Sequence, residues 1–312
     1  MNYLVTGAAG FIGSAIAGRL VEEGHNVTTI DNLSTGYKEN IPEKVEFIEG
    51  DVGDDQIIQK IANRYFDAIF HIAGQSSGEV SFENPIYDLQ TNTQSTLVLL
   101  ELAKKIGCKK FIYASSMSVY GDCPTAECTE ETLTHPKSLY AVGKLASENY
   151  MSIYSRMYGI SCTALRFFNV YGVGQNLLNL KQGMASIYLA MAIQNRKIIV
   201  KGSKERFRDF IYIDDVIEVL MRSVKYTTGY RKMNVSTGIP TKVKDVISII
   251  TENLDYPVDV FYTNGTPGDQ FGIYGNNNML TRELDYVPTY DINMGLKKMI
   301  KWAQTVLNGK DK

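Results

Sequence analysis

A glycine triplet set between a strand and a helix constrains this chain more than any other feature. Asn2-Tyr3-Leu4-Val5-Thr6 has the apolar, β-branched character of a short buried strand. Gly7-Ala8-Ala9-Gly10-Phe11-Ile12-Gly13 follows, and then an amphipathic helix predicted to run to about Glu23. Asn26-Val27-Thr28-Thr29-Ile30 predicts a second strand that ends at Asp31. Glycines at this turn permit a tight bend and let backbone N–H groups approach a pyrophosphate, which the helix N-terminus also favours. Asp31 stands 18 residues beyond Gly13, where a carboxylate meets an adenosine ribose hydroxyl. A glycine triplet alone is equally at home in an ordinary loop. Strand, triplet, helix, strand and terminal Asp in this order read as a dinucleotide site. No Arg follows Asp31 to take a 2′-phosphate, so NAD is expected in preference to NADP.

The alternation continues. Strands are predicted at Val45–Ile48, 68–73, Lys110–Ser115 and Ser161–Phe167, with helices at 54–64, 88–106 and 138–158 between them. Strands separated by helices of this length predict an α/β fold with a Rossmann-type doubly wound parallel sheet. Ligands bind at the carboxyl ends of such strands, where Gly7, Asp31, Asp51, Ala73, Ser115 and Asn169 are placed. After residue 170 the pattern loosens into helices at 183–195, 215–224, 242–253 and 291–306, a strand at Asp209–Ile213 and a loop at 264–278. The expected organisation is therefore an NAD-binding domain over 1–167, with a return segment near 209–224, and a smaller C-terminal α+β substrate lobe over 168–312.

Composition narrows the class. The chain has 312 residues, enough for two domains of ordinary size, and its net charge of −2 offers nothing to nucleic acid or an anionic membrane surface. No apolar run is long enough to span a bilayer, and no secretory leader pattern opens the chain. Its four cysteines show no CxxC spacing, so neither disulfides nor zinc are expected, and the cytoplasm is the expected setting. The three histidines lack ligand spacing; no metal is expected, and His71, inside an apolar strand, reads as a packed, hydrogen-bonded core residue.

Ser138-Leu139-Tyr140-Ala141-Val142-Gly143-Lys144 is the stretch with acid–base potential. A four-residue spacing puts Tyr140 and Lys144 on one face of a helix, where the ammonium is expected to pull the phenol pKa down. Taken alone, the pair reads equally as a surface Tyr beside a solvated Lys. The nucleotide site upstream is what turns it into a candidate.

Together these residues resemble the extended short-chain dehydrogenase/reductases, and among them the nucleotide-sugar 4-epimerases of the UDP-glucose/UDP-galactose kind. The resemblance spans the whole chain. It rests on Gly7-x-x-Gly10-x-x-Gly13, Asp31-Asn32-Leu33, Gly50-Asp51-Val52, His71-Ile72-Ala73-Gly74, Ser115 to Gly121, Tyr140-x-x-x-Lys144, Leu165 to Gly172, and Arg208-Asp209-Phe210-Ile211. It implies that Tyr140 is the acid–base residue on the sugar 4-hydroxyl and that Ser116 hydrogen-bonds the same oxygen. Lys144 would hold the nicotinamide ribose and lower the Tyr140 pKa. Asp31 and Asn32 would bind the adenosine ribose, and Asp51 and Val52 the adenine. Phe11, Ile12, Ser34, Thr35, Gly36, Ile72, Ala73, Gly74, Asn92, Ala114, Ser115 and Phe168 complete the implied NAD site. Asn169 and Arg208 would bind the diphosphate of the sugar nucleotide, with Ser76, Ser118 and Asp269 also in the substrate site. A retained NAD and turning of a 4-keto sugar within the site belong to the same expectation.

Related 4,6-dehydratases carry Asp and Glu directly after the residue matching Ser116, and related decarboxylases a Glu at the position of Ser118. Met117 and Ser118 stand there in this chain, so both outcomes are disfavoured. The family's usual Arg two residues before Gly268-Asp269 is Thr266, and a hydroxyl does not replace a bidentate guanidinium. The alternatives are an epimerase for N-acetylhexosamine or uronate nucleotides, a sugar-nucleotide reductase, and a non-enzymatic NAD-binding regulator. A homodimer is the expected assembly, through the helix before Gly107 and the helix carrying Tyr140.

Overall fold

The computed structural model describes residues 1–123, 125–180, 183–265 and 271–308. Thr266, Pro267, Gly268 and Asp269 fall outside them, and with them the expected role of Asp269. Among the described residues the chain divides into two compact units. The first takes 1–121, 133–167 and 217–233, and the second takes 122–132, 168–216 and 234 onward.

A seven-stranded sheet runs in the order Tyr230–Val235, Ser161–Phe167, Lys110–Ser116, Ala68–His71, Asn2–Thr6, Asn26–Asp31, Glu46–Glu49. The six strands from Ser161–Phe167 to Glu46–Glu49 pair in parallel. From Asn2–Thr6 the chain builds first to one side and then to the other. The reversal opens a crevice between Asn2–Thr6 and Ala68–His71, the usual ligand position in such sheets. Gly7, with φ of +77°, and Ala73 stand at its two lips: a Cβ on Gly7 would come within 2.7 Å of the Ala73 nitrogen. The central strands are apolar on both faces because helices cover both, and Leu4, Ile69, Phe111 and Ala164 have no exposed surface.

The predicted helix over 88–106 is not one regular element. Pro85–Leu89 is α-helical, Gln90–Gln94 forms one wider π-turn, and Ser95–Ile106 continues as α-helix to Gly107 in the left-handed region. A π-turn inserts an extra residue into the helix and turns its side chains out of register, a feature concentrated at functional sites. The helix expected over 54–64 is regular only at Asp55–Gln59.

In the second unit, Phe207–Tyr212 is flanked by Pro240–Lys242 and Gly272–Gly275, with Glu127–Cys128 beyond the latter and Asn169–Tyr171 also paired to it. Lys197–Lys201 and Asp259–Thr263 form a separate parallel pair. The strand Gly272–Gly275 lies inside the segment 264–278 that the sequence reads as a loop. It forms because Gly272 and Gly275 admit close neighbours: a Cβ there would meet the Phe207 ring at 2.2 Å and Ser236 Oγ at 2.4 Å.

Candidate active site

The helix Leu139–Tyr158 begins at a capped turn. Ser138 accepts a hydrogen bond from the Ala141 nitrogen at 3.2 Å, and Gly159 closes the far end in the left-handed region. This start fixes Tyr140 and Lys144 in the first two turns, on the face turned to the sheet. Lys144 is buried; its Nζ donates to the Ala114 carbonyl at 2.9 Å and lies 4.7 Å from the centre of the Tyr113 ring and 5.7 Å from that of Tyr140.

Ser116 ends the strand Lys110–Ser116 and starts a 3₁₀ turn. Its Oγ accepts from the Ser118 nitrogen at 3.2 Å and from Ser118 Oγ at 2.9 Å. With those acceptor sites filled, the Ser116 proton is left to donate, and Ser116 hydrogen-bonds the Tyr140 phenol. Ser118 thus touches Ser116 and orients it. Ser116, Tyr140 and Lys144 are brought together in the first unit.

One expectation is overturned here. Lys144 was expected to draw the Tyr140 phenol down, yet burial pushes it up to about 12, the Ser116 hydrogen bond pulls the other way, and Asp88 adds to the rise. Burial also presses the Lys144 ammonium down to about 8, against Asp88 and Glu148. The reason is desolvation. Phenolate and ammonium are both charged forms, and although Tyr140 keeps some exposure, its surroundings are mostly protein.

The residues fit NAD. The first-turn N–H groups of Phe11, Ile12 and Gly13 have no acceptor within their own helix. A Cβ on Gly13 would lie 1.9 Å from the Gly7 oxygen, and one on Gly36 would lie 2.5 Å from the Ala9 carbonyl carbon, so this cradle admits no side chains. Asp31 ends its strand with Oδ2 accepting from the Ala9 nitrogen at 2.9 Å and Oδ1 from the Leu33 nitrogen at 2.8 Å; each oxygen retains a lone pair for a ribose hydroxyl. Asn32 Nδ2 donates to Asp51 Oδ2 at 2.8 Å, which joins the two residues expected at the adenosine end, and Asn32 Oδ1 receives the Ser34 nitrogen at 3.1 Å. Val52 is buried beside them, and Thr35 lies in the same turn.

Ile72, Ala73 and Gly74 follow the Ala68–His71 strand. A Cβ on Gly74 would lie 2.7 Å from Asn92 Oδ1 and 3.2 Å from Lys144 Nζ, so Gly74, Asn92 and Lys144 converge. Asn92, in the π-turn, is buried, and its Oδ1 has no hydrogen-bond partner among the described residues. A buried orphan carbonyl is costly unless a ligand uses it.

Other expected residues are committed elsewhere. The Ser115 hydroxyl donates inward to Glu148 Oε1 at 2.5 Å, and Glu148 forms a buried two-point ion pair with Arg166 at 2.9 and 2.6 Å. Only the Ser115 main chain is left for a cofactor. His71 is a core residue as expected: Nδ1 lies 2.9 Å from Thr6 Oγ1 and Nε2 3.1 Å from Thr96 Oγ1, and burial, helped by Lys144, lowers its pKa to about 3. Ser76 is exposed.

In the second unit Phe168 is buried against Gly275, and Asn169 Nδ2 donates to the Asp209 carbonyl at 3.0 Å. Arg208 is buried, with Nη1 on the Phe207 carbonyl at 2.8 Å. Burial and the neighbouring Arg206 lower the Arg208 pKa to about 10, with Tyr188 opposing. Sequence reasoning missed Asp88, Gln75 and Glu148, and it gave Asp209, part of the motif Arg208 to Ile211, no role. Glu148 carried a signal of its own, four residues beyond Lys144 on the same helical face.

A family model described as the NAD dependent epimerase/dehydratase family matches residues 3–236. The chain belongs to that family. It is 31% identical over 308 residues to the UDP-glucose 4-epimerase of Mycolicibacterium smegmatis, covering 97% of this chain and 98% of that one. The UDP-glucose 4-epimerase of Thermotoga maritima, solved with UDP-glucose, superimposes with a TM-score of 0.95 at 31% identity, covering 98% of this chain and 100% of that one. A UDP-N-acetylglucosamine 4-epimerase from Methanobrevibacter ruminantium, in complex with UDP-N-acetylmuramic acid, gives 0.91 at 30% identity, covering 98% of each. This chain is thus a member of the NAD-dependent nucleotide-sugar epimerases, with NAD as the cofactor its cradle fits. No helix among the described residues is long and apolar enough to cross a membrane.

Proposed function

We propose that this epimerase inverts carbon 4 of UDP-glucose and UDP-galactose through a transient 4-keto sugar, with NAD retained throughout. The observation that carries the reading is the convergence of Ser116, Tyr140 and Lys144, with Met117 and Ser118 where a dehydratase needs acids. NAD, when bound, supplies the acceptor for the carbon 4 hydride and returns it to the opposite face. Tyr140 takes the 4-hydroxyl proton as the ketone forms and gives it back as the ketone is reduced, so protons and electrons balance over the cycle. Ser116 donates to the oxygen that Tyr140 serves. Lys144 would hold the nicotinamide ribose beside the phenol, its Nζ 5.7 Å from the centre of the Tyr140 ring. Arg208, a buried guanidinium with a second arginine beside it, is the base for the diphosphate, since an anion offsets the cost of its burial.

The test is a panel of UDP-glucose, UDP-galactose and their N-acetyl and uronate analogues. Interconversion of glucose and galactose without release of free NADH is expected. Conversion of only the N-acetyl or uronate pairs would move the substrate assignment to those sugars. Free NADH would mark a reductase, and no conversion at all would sink the reading.

Assembly is part of the proposal. Leu99, Leu100 and Leu102 are buried in the core. Phe82, Ile86, Leu89, Val142, Ile153 and Met157 are exposed and apolar. Of these, Val142, Ile153 and Met157 lie on the helix Leu139–Tyr158, which is assigned to a homodimer interface; a monomer mass in light scattering would overturn that assignment.

A further inference from the structure

We infer that Asp88 is a positioning residue for the proton transfer at Tyr140: its buried carboxylate fixes the Asn92 amide and is the counter-charge of the Lys144 ammonium. This rests on the role of Tyr140 and Lys144 given above. Asp88 lies one turn before Asn92 and is 1% exposed. Its Oδ1 accepts from Asn92 Nδ2 at 2.9 Å and from Gln75 Nε2 at 2.7 Å. A carboxylate only accepts, so it dictates which end of the Asn92 amide it meets. The Nδ2 end is taken, and Oδ1 must point away from Asp88, towards Gly74 and Lys144 Nζ.

Gln75 ties this arrangement to the strand end. Besides Asp88, its Nε2 donates to the Ser77 carbonyl at 2.8 Å, and its Oε1 receives the Ser77 nitrogen. The other face of the π-turn is pinned as well. Ser147 Oγ and Thr96 Oγ1 donate to the Asn92 carbonyl at 2.9 and 3.0 Å. Asn92 is therefore held at its main chain by Thr96 and by the Tyr140-bearing helix, and at its side chain by Asp88 alone.

The charge argument is separate. The Asp88 carboxyl is 1% exposed and is met by two amide groups, in surroundings whose low dielectric strengthens its action on its neighbours. Asp88 opposes the loss of charge at Lys144 and adds to the rise at Tyr140. The other ionisable groups around this pair are Glu148 on the Tyr140 helix, His71 on the Ala68–His71 strand and Tyr113 on the Lys110–Ser116 strand. Glu148 also supports the Lys144 charge but is shared with Arg166 in a buried ion pair, and His71 is neutral in the working range. Asp88 is the carboxylate with the larger effect on Lys144 and no cation of its own among its hydrogen-bond partners.

The test compares Asp88→Asn and Asp88→Glu with the unaltered chain. In Asp88→Asn the alkaline loss of kcat, set by the Lys144 charge, is expected to begin at least about half a unit lower in pH. kcat should fall about tenfold or more while KM for the sugar nucleotide changes less than about threefold. Asp88→Glu should restore the pH limb at least in part. Calorimetric NAD binding across the same pH range provides the second readout. The alkaline weakening of binding should move in the same direction and does not depend on the sugar. If the unaltered chain turns over no sugar nucleotide, the proposed reaction fails and the NAD titration still decides the role of Asp88. If Asp88→Asn lowers Tm or activity but both pH limbs stay where they were, Asp88 is merely structural and the inference is overturned.

Discussion

Two buried carboxylates of the second unit are treated differently from Asp88 of the first. In the second, Asp209 accepts from Thr237 N and Oγ1, Gly238 N and Gly275 N, between 2.7 and 3.2 Å. Asp215 accepts from the Tyr286 hydroxyl, Thr289 N and Oγ1, and Tyr290 N, between 2.5 and 3.2 Å. Both are saturated and serve to clamp loops to the strand Phe207–Tyr212 and the helix Ile213–Ser223. Among the described residues of the first unit, Asp88 has two side-chain donors, Asn92 Oδ1 has none, and Lys144 rests on one carbonyl and two ring faces. Saturation at Asp209 and Asp215 holds structure, whereas the orphan Oδ1 of Asn92 fits a group kept for a ligand, since an unpaired buried carbonyl is costly.

That contrast can be broken in three places. The largest effect is expected for Tyr140→Phe, which should lower kcat by about three orders of magnitude or more while the protein still carries NAD. Retained turnover would remove the first unit from the chemistry. Arg208→Met should raise KM for the sugar nucleotide about tenfold to a hundredfold with NAD affinity unchanged, as seen by calorimetry with each ligand. A matching loss of NAD affinity would show that Arg208 is not specific to the substrate. The smallest catalytic effect is expected for Asp215→Asn. It turns an acceptor into a donor facing N–H and O–H groups and should cost about 2–3 kcal/mol of stability. Activity per folded molecule should be unchanged; a fall in kcat without a fall in Tm would break the division between clamping and reacting groups.

Much of the first unit was legible in the sequence. Ser161–Phe167 forms as predicted, following the stop at Gly159 that ends the preceding helix. The helix predicted over 138–158 forms as Leu139–Tyr158. The second unit was harder to read. Its strands Asn169–Tyr171, Pro240–Lys242 and Glu127–Cys128 are two or three residues long, below the length at which alternation is visible. Gly272–Gly275 was hidden by glycines and asparagines that otherwise denote loops. Within the candidate site, Gly7, Tyr140 and Lys144 stood out by pattern and Ser116 by resemblance, and the structure brings Ser116, Tyr140 and Lys144 together. The environment was not: the raised Tyr140 pKa depends on burial by residues distant in sequence. Asp88 looked like any helical surface acid until Gln75 and Asn92 closed around it.

The π-turn at Gln90–Gln94 has a consequence for how such a site changes over time. It carries one residue more than regular α-helix needs. Deleting one residue there would let the helix relax to its commoner form and rotate everything on its N-terminal side by about 100°. Leu99, Leu100 and Leu102 would keep their seats in the core, while Asp88 would swing off Asn92. Single substitutions leave this spacing intact. A one-codon deletion is therefore the short mutational route by which a descendant of this chain could keep its fold and its nucleotide cradle and lose its proton-transfer geometry.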